Sequence, residues 1–84
     1  MKVTYDKDAD AAYIRLSDLE PAGVIEIREG INIDVAEDDR IVGIEFLHAS
    51  KLLPITTLYS YELQGELPQT PRSTEEVGGN QKNY

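Results

Sequence analysis

Hydrophobic and polar residues alternate with a period of two through most of the chain. Val3 and Tyr5 alternate with Lys2 and Thr4, and Ala12, Ile14 and Leu16 with Tyr13, Arg15 and Ser17. Ile25 and Ile27 alternate with Glu26 and Arg28, and Ile31, Ile33 and Val35 with Asn32 and Asp34. Val42, Ile44 and Phe46 alternate with Gly43 and Glu45. Successive side chains of a strand point to opposite faces, so each run predicts a strand with one apolar and one wet face. The intervening residues are turn formers: Asp6 to Ala11, Asp18 to Gly23, Glu29-Gly30 and Glu37-Asp38-Asp39. None of these gaps holds a crossover helix, so antiparallel pairing is expected. The prediction is a mainly β (α+β) domain: an antiparallel five-stranded meander, then a short C-terminal helix, then a disordered tail.

The helix is expected within His48 to Leu53, with Ala49, Leu52 and Leu53 turned inward, stopping before Pro54. One short helix is too small to cover a sheet face, so residues 55 to 63 must complete the cover or leave it for a partner. Their β-branched and aromatic content favours extended structure. Beyond them the composition changes. Residues 1 to 53 hold 26 of the 34 hydrophobic residues, residues 54 to 65 hold 5 and residues 66 to 84 only 3. The last segment cannot bury enough apolar surface to offset its chain entropy. A single small β-rich domain over 1–65 and a flexible tail over 66–84 follow.

Charge narrows the classes of function. The net charge is -8, from 8 Lys and Arg against 16 Asp and Glu in 84 residues. Twelve of the acids lie in residues 1 to 53, so the excess belongs to the domain and not to an acidic tail. Basic residues are too scattered for a phosphate-binding surface, and direct nucleic-acid binding is not expected. The N-terminus turns polar at once and no window approaches the ~20 apolar residues of a membrane span. No membrane association is expected, and the cytoplasm is the expected location. The absence of Cys excludes disulfides, zinc–thiolate sites and cysteine nucleophiles. No cofactor is indicated.

Two constellations bear on chemistry. Asp6, Asp8 and Asp10 have the spacing that opens a calcium loop, but the sixth position is Ala11 where Gly is required and the twelfth is Ser17 where Glu is required. They are the candidate metal ligands, joined by Glu37-Asp38-Asp39 if both acidic turns share one rim of the sheet. The competing reading is a solvated turn whose carboxylates accept local amide bonds. His48, the only histidine, needs an oriented partner and a nucleophile to act as a base, and adjacency to Ser50 does not provide them. Carboxylate-based chemistry has no distinguished pair. The chain is read as a non-enzyme, with no catalytic residue. Tyr13 and Arg15 on the wet face, and Tyr59 and Tyr61 two apart, are the candidate partner-binding residues, because Tyr supplies interface area at low entropic cost.

Met1 to Asp6, the run Asp8-Ala9-Asp10-Ala11-Ala12-Tyr13-Ile14-Arg15-Leu16-Ser17, then Ile41 to Leu47 and Ala49-Ser50-Lys51, resemble the small bacterial family catalogued as domain of unknown function 2283. The resemblance runs in order over residues 1 to about 53. It carries no catalytic residues, and it implies an antitoxin-like role for some members, encoded beside small ribonuclease-like toxins. Two positions depart from the family pattern. His48 stands where Asp is usual before Ala-Ser-Lys, removing a helix-capping side chain. Asp38-Asp39 replaces a turn that often contains Gly, and Asp tolerates the left-handed conformation. The expectation is an acidic, non-catalytic protein-interaction module, antitoxin-like, whose partner is a basic toxin encoded nearby. The alternatives are a self-associating structural domain and a metal-dependent enzyme using the acidic turns.

Overall fold

The computed structural model describes residues 1–66 and 68. Five strands form where the alternation predicts them: β1 (Lys2–Asp6), β2 (Ala11–Arg15), β3 (Gly23–Arg28), β4 (Ile31–Val35) and β5 (Ile41–Leu47). They make one sheet in which every neighbouring pair is antiparallel. The strand order is β1-β2-β5-β4-β3, which corrects the simple meander. Strand β5, the longest and the one containing the fully buried Val42, takes the centre between β2 and β4.

The correction has a geometric cause. Alternation assigns each side chain a face but says nothing about which strand lies beside which. The connection from β2 to β3 crosses three strand spacings, about 14 Å. Residues 16 to 22 span that distance easily when extended. They are pinned along the way: the Leu16 and Ser17 amides donate to the Val42 carbonyl at 2.8 and 3.1 Å, and the Ala22 amide to the Val35 carbonyl at 2.8 Å. The Ser17 hydroxyl donates to the Ile41 carbonyl at 3.1 Å. What reads as a hairpin turn in sequence is a strap across one end of the sheet.

Turn chemistry fits the residues. In the two-residue turn between β3 and β4, Gly30 takes a φ of 87°. A Cβ there would be strained, and it would stand 3.2 Å from the Leu47 carbonyl oxygen. Between β4 and β5, Asp39 occupies the left-handed region at φ 71°, and its amide donates to the Ala36 carbonyl at 2.9 Å. Asp tolerates this conformation better than most residues, so the turn closes without Gly.

After β5 the chain reverses at His48, whose φ is 54°. In place of the expected helix, a 3-10 turn covers Ala49–Lys51. Its Leu52 and Leu53 amides both return to the Ala49 carbonyl, at 2.9 and 3.0 Å. Ala49 is fully buried, as expected of an inward position, and Leu52 and Leu53 are half-buried. The expectation of extended structure from residue 55 is also corrected. Ile55–Tyr59 forms a second 3-10 turn, closed by the Thr57 amide donating to the Pro54 carbonyl at 3.0 Å, and the backbone becomes extended only at Ser60. β-Propensity expresses itself through pairing with a neighbouring strand, and these residues have none. The predicted tail, 66–84, lies outside the described residues apart from Glu66 and Pro68.

Candidate functional site

The strand registers sort the side chains into two faces. One carries the row Val3–Ile14–Ile44–Ile33–Ile25, which crosses all five strands. The other carries Thr4–Tyr13–Glu45–Asn32–Glu26 over the same span. Polar contacts knit this second face. The Tyr13 hydroxyl donates to Asp34 at 2.8 Å and the Asn32 amide group to Glu45 at 3.1 Å. Tyr13 reaches Asp34 by lying across Gly43, where an added Cβ would collide with its ring and stand 2.8 Å from the Ile14 carbonyl oxygen. Desolvation of this half-buried phenol, reinforced by its bond to Asp34, raises its pKa.

Of the candidate interface residues, Tyr13 therefore has its hydroxyl committed within the sheet. Arg15 is half-buried and donates to the Leu19 carbonyl at 3.4 Å, a long bond. Tyr59 and Tyr61 are 75% and 79% exposed, beyond the sheet, and Leu63 is 70% exposed after them. The first pair belongs to β2, the second to the segment that follows the sheet.

The acidic turns separate likewise. The β1–β2 turn adjoins the end of β5, because Ala11 pairs with Leu47. The β4–β5 turn adjoins its beginning, because Val35 pairs with Ile41. Asp6–Asp10 and Glu37–Asp39 lie at opposite ends of the sheet, so a shared rim is ruled out by the antiparallel path of β5. Among the described residues no three His, Cys, Asp or Glu side chains group closely enough to share a metal ion. Within the first turn, Asp6 accepts the Asp8 and Ala9 amides at 3.0 and 3.2 Å.

Asp10 has the most connected carboxylate of the domain. It accepts the Tyr5 hydroxyl at 2.8 Å, the Ser50 amide at 3.0 Å and the Ser50 hydroxyl at 2.6 Å, while its own carbonyl accepts the Ala49 amide at 2.8 Å. The backbone takes a left-handed turn at Asp10, φ 53°, to aim the side chain at the 3-10 turn. His48, in the capping position, makes no side-chain cap bond. Asp10 caps that turn from forty residues away. The sequence alone does not show this pairing, because Asp10 and Ser50 fall in separate motifs, the run Asp8 to Ser17 and Ala49-Ser50-Lys51.

The same geometry argues against nucleophilic chemistry at Ser50. Its hydroxyl proton is held by Asp10, whose pKa is lowered by the Ser50 and Tyr5 hydrogen bonds, so this carboxylate is a poor base. His48 is exposed and has no hydrogen bond to Ser50. Tyr5 shows the reciprocal effect, its pKa raised chiefly by donation to Asp10.

Concavities are shallow. One of about 380 Å³ is lined by the apolar Leu19, Ala22 and Ala36 and by the carboxylates Glu20, Glu37 and Asp38. Asp38 also binds Arg40, its carboxylate 2.8 Å from Nε, and the Arg40 backbone and side-chain bonds lower its pKa. A lining that mixes apolar side chains with carboxylates suits the stem and head of a Lys or Arg side chain.

Residues 2–50 match the family model described as protein of unknown function (DUF2283). The chain belongs to this family. The matched segment begins with β1 and ends at Ser50, so it contains the whole sheet and both partners of the Asp10–Ser50 contact. No curated protein and no solved structure matches the chain. The DUF2283 segment stops short of the exposed Tyr59 and Tyr61, which the family model therefore does not describe. No activity is assigned to the family, and no helix among the described residues is long and apolar enough to cross a membrane.

Proposed function

We propose that this DUF2283 protein is a non-catalytic acidic interaction module that binds a basic protein. The observation that carries the proposal is the exposed segment from Tyr59 to Leu63, where Tyr59, Tyr61 and Leu63 are each at least 70% exposed beside an acidic domain. Aromatic side chains presented in this way supply the anchors of protein interfaces. The net charge of -8 steers a basic partner toward the domain, and the groove lined by Glu20, Glu37 and Asp38 accepts its cationic side chains. The family resemblance adds the identity class: an antitoxin-like protein that occupies the phosphate-binding surface of a small basic toxin encoded beside it. Such a protein works in the cytoplasm.

Co-expression with the product of the adjacent gene tests the proposal. A small basic neighbour should co-purify, and the complex should weaken as salt rises, with Tyr61→Ala and Glu37→Lys each loosening it. A neighbour that does not co-purify at low salt overturns the proposal.

A further inference from the structure

None of the five residues in the row Val3–Ile14–Ile44–Ile33–Ile25 is fully buried, and Ile25 is 51% exposed. A row of β-branched side chains running through the central strand is where a single-sheet domain places its densest packing. Among the described residues the buried apolar side chains are Ala12, Val35, Ala36, Val42 and Ala49, none larger than valine. That is a thin core even for a small domain. Residues 66 to 84 contain only Leu67, Val77 and Tyr84 as hydrophobic residues.

We propose that a second copy of the chain covers this face, the two sheets packing apolar side to apolar side as a β-sandwich dimer. Two-fold packing requires a surface complementary to itself, and an uncharged row of Val and Ile meets that requirement. Charge decides against the other occupants. The strand carboxylates Asp6, Glu26, Asp34 and Glu45 all alternate with the apolar positions and lie on the opposite face. Facing dimers keep these charges outside a packing layer about 10 Å thick. Pairing of two β3 edges would instead bring the carboxylates of two acidic sheets side by side. A basic partner is drawn to the carboxylate face and turns, which leaves the apolar row for the second copy. The proposal does not depend on that partner.

Sedimentation of the full-length chain at about 50 and about 500 mM salt tests it, because screening removes repulsion between two acidic copies while apolar contact persists. The chain should sediment as a dimer whose dissociation constant falls as salt rises, the opposite of the salt response of a complex with a basic protein. Ile25→Lys, on a half-exposed edge strand that can still fold, should raise the dissociation constant roughly tenfold or more with unchanged circular dichroism. Glu26→Lys, on the other face of the same strand, and Tyr61→Ala should leave the dimer intact. A chain that stays monomeric at about 1 mM, a concentration that detects even a very weak dimer, overturns the proposal. So does a dimer indifferent to Ile25→Lys, or one dissolved by Glu26→Lys or Tyr61→Ala. A monomer that still captures a basic partner overturns the dimer alone; a dimer that captures none overturns only the interaction reading.

Discussion

Asp10 joins the β1–β2 turn to the 3-10 turn after β5 through a single carboxylate, and its titration ties stability to pH on the acid side. Its folded pKa lies below the ordinary carboxylate value because Ser50 and Tyr5 donate to the ionised form. The unfolded chain therefore binds more protons than the folded chain in that range, and stability rises with pH there. The contribution is present above the usual Asp value near 4 and is lost as pH falls through the lowered folded value. Asp10→Asn should flatten this acid limb and lower the melting temperature at neutral pH, read by circular dichroism melts between about pH 2 and pH 7. Ser50→Ala should do part of the same, since it removes the hydroxyl donor and leaves the amide. Tyr5 and Tyr13 act at the other extreme. Their raised pKa values mean that their contribution is present below the ordinary Tyr value near 10 and is lost as pH rises through the folded values.

Strand β5 is the element on which the others depend, and Gly43 is its tightest point. Gly43→Ala places a methyl group against the Tyr13 ring and the Ile14 carbonyl at once. The backbone oxygen cannot move as a side-chain tip can, so a cost of about 1–3 kcal/mol is expected in urea unfolding. Tyr13→Phe should cost about 1 kcal/mol, the net value of one hydrogen bond, and leave the Asp34 carboxylate without that donor. If Tyr13→Ala is combined with Gly43→Ala, part of the Gly43→Ala cost should disappear, because only the carbonyl contact remains; a double-mutant cycle measures this. The five strand segments themselves were legible, because each alternates over at least one full apolar–polar–apolar unit. The β2–β3 strap was not, because the Asp18 to Gly23 stretch has turn residues in any topology.

At the scale of the whole molecule, a single acidic sheet stands with its apolar side thinly covered and an aromatic segment beyond it. The metal-dependent enzyme reading makes a different demand, a cluster of carboxylates at one rim. With the two acidic turns at opposite ends of the sheet, calorimetry with calcium, magnesium and manganese should show no tight binding and no rise in melting temperature. A chain ending at Gly65 should retain the circular dichroism and melting temperature of the full chain, since the five strands and two 3-10 turns of the described residues all precede that residue.

Taken alone, the sequence determined the strands, the two faces of the sheet, the acidic turn at Asp38-Asp39 and the family. Each depends on local rules: the two-residue period, the backbone tolerance of Asp, and ordered motifs. Only the tertiary structure decided that β5 is central, that the acidic turns are far apart, that Tyr13 is spent on Asp34, and that Asp10 caps the turn His48 leaves uncapped. These are long-range pairings. Chain geometry permits several of them for one and the same pattern of apolar and polar positions, and the choice falls to packing and hydrogen bonding between segments distant in sequence.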